Sequence, residues 1–300
     1  MNSHVSPSVD AVRSRTRAPR VIWVAASVLL IAASSFAADS SDTGGVAGYF
    51  SNWFERSDRA KEEQPKWVTP VVTVTPRLEQ EIRYDQIWQT SPLGKTVTSY
   101  GGGKGLELIP FDPVELIIGI PAWQTVNHPS GQNGWADENL LLKLRLASAN
   151  KDNGDFIITA FLGFTIPSGS AHVSSGHVVT TPTIAAGKGW GDFDVQTTLG
   201  VSIPDYGAAS WGNGTPILWN TALQYHIAKY VWPEFEFNYS YWPDGLREGR
   251  SQLYVTPGFV FGRVQLGSRF GLTVGAGYQM AVTSKPNNDH AFILTARLPF

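Results

Sequence analysis

The chain has 300 residues, with 23 Lys and Arg against 25 Asp and Glu, and charged residues make up only 16% of it. This lies below the ~25% that is usual for soluble domains. There is no Cys, which excludes a disulfide framework and a cysteine metal site. The charge balance leaves no basic excess to neutralise phosphates, so nucleic acid is excluded as an expected partner. The hydrophobic content of 42% argues against a disordered chain.

Residues 1–37 have the order of a secretory signal peptide. Four arginines between residues 13 and 20 precede an apolar run at 21–33, and Ser35 and Ala37 supply the small residues of a cleavage site. The alternative is an uncleaved membrane anchor, but the run is shorter than the ~20 residues that span a bilayer. The sequence therefore predicts export, with cleavage after Ala37.

Residues 38–73 are predicted to form a periplasmic N-terminal segment. Tyr49, Phe50, Trp53 and Phe54 are spaced as on one face of a helix, which predicts a short amphipathic helix. Such a helix fits two positions, on the periplasmic leaflet or partly plugging a barrel. A flexible tether is equally compatible with the composition.

The rest of the chain alternates apolar and polar residues with a period of two. In one such stretch, Phe235, Phe237 and Tyr239 alternate with Glu234 and Glu236. Period two indicates strands with two different faces. A soluble sandwich also alternates, but these stretches run for about 10 residues or more, which is typical of membrane strands. An aromatic-rich face on lipid and a polar face on water produce this pattern.

Twelve strands are predicted in residues 74–300, and together they predict an all-β, transmembrane, antiparallel up-and-down barrel. The connections after even-numbered strands are mostly short, and those after most odd-numbered strands are longer and polar. Outer-membrane barrels have short periplasmic turns and longer external loops, so both termini are expected in the periplasm. The predicted strands lie at residues 77–89, 96–109, 113–123, 135–148, 155–166, 177–187, 191–203, 215–228, 230–242, 250–265, 270–283 and 290–300.

The polar face of these strands supplies twelve candidate lumen-lining residues. They are Glu79, Glu81, Arg83, Asp85, Glu115, Lys143, Arg145, Asp194, His226, Glu234, Glu236 and Arg297. Two interpretations are open for them: a polar lining that selects solutes, or paired charges that brace the wall. Both signs of charge are present, and pairing avoids the cost of unpaired buried charge, which favours bracing for any single residue.

Several short stretches resemble a family of Gram-negative outer-membrane proteins linked to the MetA pathway of phenol degradation. They are residues 74–85 (VTPRLEQEIRYD), residues 161–169 (FLGFTIPSG), the turn at 187–191 (GKGWG) and the C-terminal Phe300. The resemblance covers most of residues 74–300. It implies an outer-membrane β-barrel that passes small, often aromatic or apolar, compounds, and it supplies no catalytic residues.

These residues are compatible with three functions. A channel for small molecules is favoured, because twelve strands lie between filled eight-stranded barrels and open porins of 16 to 18 strands. A barrel that is structural or only binds ligands is the main alternative. An outer-membrane lipid hydrolase is disfavoured, because His128 and Ser130 share a loop without an evident acid partner. No catalytic residue, metal or cofactor is expected; the expected partners are outer-membrane lipid, a small solute and the outer-membrane assembly machinery.

Overall fold

The computed structural model describes residues 45–102, 104–129, 131–205 and 214–300. All of them belong to one compact unit, Asp42–Phe300. The predicted leader, with its cleavage after Ala37, lies outside the described residues. Two helices come first, α1 (Gly45–Ser51) and α2 (Trp53–Glu62). None of the described helices has the length and apolar character needed to cross a membrane.

Twelve antiparallel strands follow and close into a barrel, which confirms the predicted fold class. Each strand pairs with the next, and the last pairs with the first, where Arg83 lies opposite Arg297. The strands are β1 (Glu81–Thr90), β2 (Thr96–Tyr100 and Gly105–Phe111), β3 (Val114–Gly119 and Trp123–Asn127), β4 (Gly134–Trp135 and Glu138–Ala149), β5 (Phe156–Ile166), β6 (Val179–Trp190), β7 (Phe193–Val201 and Ile203–Pro204), β8 (Ile217–Tyr225), β9 (Val231–Tyr241), β10 (Ser251–Gln265), β11 (Gly271–Ala281) and β12 (His290–Pro299).

The first strand begins at Glu81, four residues later than the sequence pattern predicts. The preceding residues bend into the barrel, because Leu78 exchanges two hydrogen bonds with the Gln64 side chain, at 2.9 and 2.7 Å. Leu78 is fully buried against Ala60 and Ile109 and does not lie on the outward face of the barrel. Glu79 likewise lies on an inner segment and not on the barrel wall.

The strands present an apolar face outward and a polar face inward. On β9, Phe235 and Phe237 are exposed, whereas Glu234 and Glu236 are buried. The same phase holds on β12, where Leu294 is exposed and Arg297 is buried. Alternation along a strand therefore places most of the charged side chains in the lumen.

The two ends of the barrel differ in their connections. At one end the strands are joined by two to six residues, and at the other by five to twelve. Both α-helices lie at the end with the short turns. There Lys61 Nζ donates a 3.0 Å hydrogen bond to the backbone oxygen of Phe300, and Asp58 pairs with Arg269 at 2.8 Å. We call this the turn end, and the opposite end the loop end.

Candidate functional site: an occupied lumen

Residues 64–80, the inner segment, run inside the barrel. The segment doubles back on itself, because Arg77 Nε near its end donates a 2.7 Å hydrogen bond to the backbone oxygen of Pro65 near its start. The guanidinium of Arg77 also binds the backbone oxygen of Trp67. Residues 71–74, the tip of the segment, lie between these two arms. Val71 and Thr73 are each 1% exposed, so the barrel wall surrounds this tip.

Two acids of β9 hold the tip through its backbone N–H groups. Glu234 Oε1 accepts a hydrogen bond from Val71 at 3.0 Å. Glu236 accepts one on each oxygen, from Val72 at 2.7 Å and from Thr73 at 2.6 Å. Carboxylates that accept backbone N–H bonds form charge-assisted contacts, which are stronger than neutral ones. These acids therefore contact the inner segment and do not line an open path.

Basic residues of the wall hold the carbonyl groups of the same segment. Arg83 Nη2 donates to the oxygen of Val71 at 2.6 Å, and Lys143 Nζ donates to the oxygen of Arg77 at 3.0 Å. The guanidinium of Arg297 binds two successive carbonyl oxygens, those of residues 69 and 70. The wall thus offers acceptors to the N–H groups of the segment and donors to its C=O groups. Backbone groups that are buried outside regular secondary structure gain hydrogen-bond partners in this way.

Neutral polar side chains complete this contact around the barrel. Gln196 on β7 accepts a 2.7 Å hydrogen bond from the hydroxyl of Thr75 and donates a 3.0 Å bond to the oxygen of Val68. Thr159 on β5 donates to the oxygen of Pro76 at 2.6 Å. The inner segment is therefore contacted by side chains from six of the twelve strands: β1, β4, β5, β7, β9 and β12.

Several of the predicted lumen residues form ion pairs. Glu115 and Lys143 face each other on β3 and β4, with Nζ 3.0 Å from Oε1, and both are fully buried. Arg83 binds Asp85 on its own strand at 2.8 Å. Arg145 reaches the turn end, where it pairs with Glu63 after α2 at 2.8 Å. The bracing interpretation describes these residues.

The remaining predicted residues have other neighbours. Glu79 pairs with Arg77 at 2.7 Å within the inner segment. Asp194 accepts a 3.0 Å hydrogen bond from Gln196. Glu81 lies opposite Glu107 in the β1–β2 register, and both are buried.

His226 is expected on the inner wall of a strand. The strand is wrong, because β8 ends at Tyr225, but the position faces inward, since the His226 ring lies on the buried Trp232, which packs with Val68 and Val71. His226 follows the end of β8 in a turn, where its ring stacks on Trp232 with centroids 3.9 Å apart and planes 9° apart. The strand signal ends one residue before it, at Tyr225.

The strand pattern did not single out several residues that contact the inner segment or the lumen. Gln196, Gln224, Glu107 and Lys104 are buried in the barrel interior. The first three continue the inward phase of predicted strands, so the period-two pattern contained their positions. Lys104 follows a run of glycines that interrupts β2, where the alternation is lost.

A cavity of about 420 Å³, the vestibule, opens on the loop side of the tip. Val71, Val72 and Val74 of the inner segment form its floor. Its wall carries charged and amide side chains from β1 to β4, and Ile87 and Ile293 add apolar surface. A solute that enters from the loop end therefore reaches an amphipathic chamber with a closed floor.

The loop between β5 and β6, at the loop end, is fastened beside this chamber through Asp137, which lies in the break within β4. Its two carboxylate oxygens accept hydrogen bonds from the backbone of Gly169 at 3.0 Å and from both the backbone and hydroxyl of Ser175 at 2.7 Å. Burial raises the pKa of Asp137, but hydrogen bonds from Ser174, Ser175 and Gly169 outweigh it and hold the pKa below its usual range.

No protein-family model matches the chain, and no curated protein matches it. Among solved structures, it is similar to the COG4313 outer membrane channel from Pseudomonas putida F1. The identity is 12%, the TM-score is 0.52, and the match covers 78% of this chain and 100% of that chain. The chain has the fold of an outer-membrane β-barrel. A second similar structure is the KdgM porin in complex with disordered oligogalacturonate, with 13% identity, a TM-score of 0.42, and 73% and 99% of the two chains covered.

Within residues 45–102, 104–129, 131–205 and 214–300, no group of three or more His, Cys, Asp or Glu side chains is arranged to hold a metal ion. The interior of the barrel is characterised by hydrogen bonds between the wall and the inner segment and by the vestibule beside the tip.

Proposed function

We propose that the protein is an outer-membrane channel for small molecules, and that the inner segment is its closed gate. The supporting observation is the inner segment itself, which fills the lumen and is held by side chains of the wall. The outward apolar face fits contact with outer-membrane lipid after insertion by the assembly machinery. The solutes that we propose are small compounds with an aromatic or apolar body, which suit the valine floor of the vestibule.

The contacts of the inner segment favour a displaceable gate. A hydrogen bond contributes a net of about 0.5–1.5 kcal/mol between neutral groups and about 1.5–3 kcal/mol to a charged group, because release exchanges it for a bond to water. The amide groups that Glu236 binds, and the carbonyls that Arg297 binds, have such a replacement available in a hydrated lumen. The closed and displaced positions therefore differ by less free energy than the number of contacts suggests.

A reversible disulfide tests whether the inner segment must move. A Cβ atom placed at Gly277 lies 3.4 Å from Cγ1 of Val71 and 2.9 Å from Cγ2 of Thr256, so the two positions are neighbours and the Thr256 methyl group must shift to admit the second cysteine. The chain has no other Cys. For Val71→Cys/Gly277→Cys, single-channel conductance in a planar bilayer should be at least tenfold lower for the oxidised protein than for the reduced protein. Small aromatic compounds should reduce the current through the open, reduced protein.

The two single-cysteine variants are the controls, and reduction must not change their conductance. Equal conductance of the oxidised and reduced double variant shows a path that bypasses the segment and overturns the gate. A protein that never conducts, even when reduced, overturns the channel and leaves a barrel with a structural or binding role.

We also propose that the chain reaches the outer membrane by export with removal of residues 1–37. The arginine-rich start, the short apolar run and the small residues Ser35 and Ala37 support this proposal. N-terminal sequencing of the membrane-extracted protein should begin at Ala38. A sequence that begins at Met1 overturns it.

A further inference from the structure

Two cationic side chains line the vestibule and carry buried donors without a described hydrogen-bond partner. Lys104 is 8% exposed, and its Nζ has neither a hydrogen-bond partner nor an ion-pair partner within the part of the chain that the structure describes. Arg83 is 4% exposed and uses Nε and Nη2 on Asp85 and Val71, while its Nη1 donates to no described residue. A buried ammonium without an acceptor is costly, which makes this corner of the vestibule a candidate anion site.

The acids that line the same chamber are already engaged. Both oxygens of Asp85 accept from Arg83 Nε, at 2.8 and 3.0 Å. Asp137 accepts three hydrogen bonds from Gly169 and Ser175 of the loop between β5 and β6. Among the charged groups that line the vestibule, the unused hydrogen-bonding capacity is therefore on two donors, Lys104 Nζ and Arg83 Nη1. Glu107, three residues after Lys104, is buried but does not line the vestibule.

The opposite side of the chamber is apolar. Val71, Val72 and Val74 form its floor, and Ile87 and Ile293 flank them. The volume of about 420 Å³ falls within the 300–1,000 Å³ range of small-molecule sites. One end of a ligand would therefore meet donors, and the rest would meet aliphatic side chains. A strongly hydrated inorganic anion would leave the aliphatic surface without a partner.

We infer that the vestibule is a binding site for a small organic anion with one carboxylate and a compact apolar or aromatic body, and that Lys104 is its selectivity residue. The carboxylate accepts from Lys104 Nζ and Arg83 Nη1, and the body rests on the valine floor. This inference rests on the proposed channel function for its role, because it names the class of solute that the channel would take up before the gate moves.

Binding of two isosteric probes tests the site directly. The dissociation constants of 4-fluorobenzoate and 4-fluorobenzamide are measured by fluorine NMR on the full-length protein in micelles, with protein-free micelles as the blank. The wild type should bind the benzoate at least tenfold more tightly. Lys104→Gln should reduce this ratio to below two, whereas Lys104→Arg should keep most of it. Lys95→Gln, in an exposed loop at the same end, should leave the ratio unchanged.

Equal affinities of the wild type for the two probes overturn the anion site, and so does an unchanged ratio in Lys104→Gln. If Lys104→Gln does not fold, the wild-type ratio and Lys104→Arg decide the question. Conductance on the same preparations separates this inference from the proposed function. A conducting protein without anion preference overturns only the site, and a protein that prefers the benzoate but never conducts overturns only the channel.

Discussion

Glu236 Oε2 accepts a 2.6 Å hydrogen bond from the backbone N–H of Thr73, although 163 residues separate them in sequence. The second oxygen of the same carboxylate accepts from the neighbouring amide of Val72 at 2.7 Å. One fully buried side chain therefore fixes two successive amides of the inner segment. Its function depends on having two acceptor oxygens, which a neutral amide side chain lacks.

Glu236→Gln should loosen the gate. The new amide group presents N–H donors to a backbone N–H, so one of the two contacts becomes repulsive. The loss of a hydrogen bond to a charged group costs about 1.5–3 kcal/mol. Single-channel conductance should rise, and the inner segment should become more susceptible to proteolysis. The exposed Glu248→Gln is the matched control. Unchanged conductance together with unchanged proteolysis contradicts the assignment of Glu236 to the gate.

Period two located the barrel because it follows from strand geometry alone. The twelve observed strands have boundaries within four residues of the predicted ones, and Glu234 and Glu236 point inward as their alternation predicts. A strand pattern carries no information about what occupies the space that it encloses. Residues such as Val71 and Thr73 contact wall residues more than 150 positions away, and no local periodicity records such contacts. The vestibule depends on this same occupancy, so it was not predictable either.

Gly187→Ala should weaken docking of the inner segment near the turn end. A Cβ at Gly187 would lie 2.5 Å from Cζ3 of Trp67, whose Nε1 donates to Asp155 at 3.3 Å. Overpacking of this kind costs about 1–3 kcal/mol. Amide hydrogen exchange of residues 64–70 should accelerate about tenfold or more, since 1.4 kcal/mol is a factor of ten. Gly163→Ala is the control, because its new methyl group meets nothing closer than 3.5 Å. Equal protection in both variants contradicts close packing of Trp67 on β6.

Lys143→Met should destabilise the barrel. It leaves the Glu115 carboxylate fully buried without its counter-charge and removes the donor to the Arg77 carbonyl. Breaking a buried pair in this way costs about 3–5 kcal/mol. Urea unfolding of the protein in micelles should show this loss, and the double variant Glu115→Gln/Lys143→Met should recover part of it. Lys95→Met, on an exposed loop, should unfold like the wild type. A double variant no more stable than Lys143→Met contradicts direct coupling of the pair.

Acidification should release the loop between β5 and β6 from Asp137. Because hydrogen bonds hold the folded pKa of this carboxyl below its usual range, its contribution is complete above the unfolded pKa of about 4 and is lost as the pH falls through the folded pKa. After correction for intrinsic exchange rates, amides of residues 169–175 should be protected at pH 6 and lose protection toward pH 3. Asp137→Asn should exchange rapidly already at pH 6, because an amide cannot accept on both sides. Asp152→Asn, in an exposed turn at the opposite end, should match the wild type. Protection in Asp137→Asn equal to that of the wild type at pH 6 would show that other contacts hold the loop, such as the 2.9 Å bond from the Ser170 backbone N–H to the oxygen of Trp135.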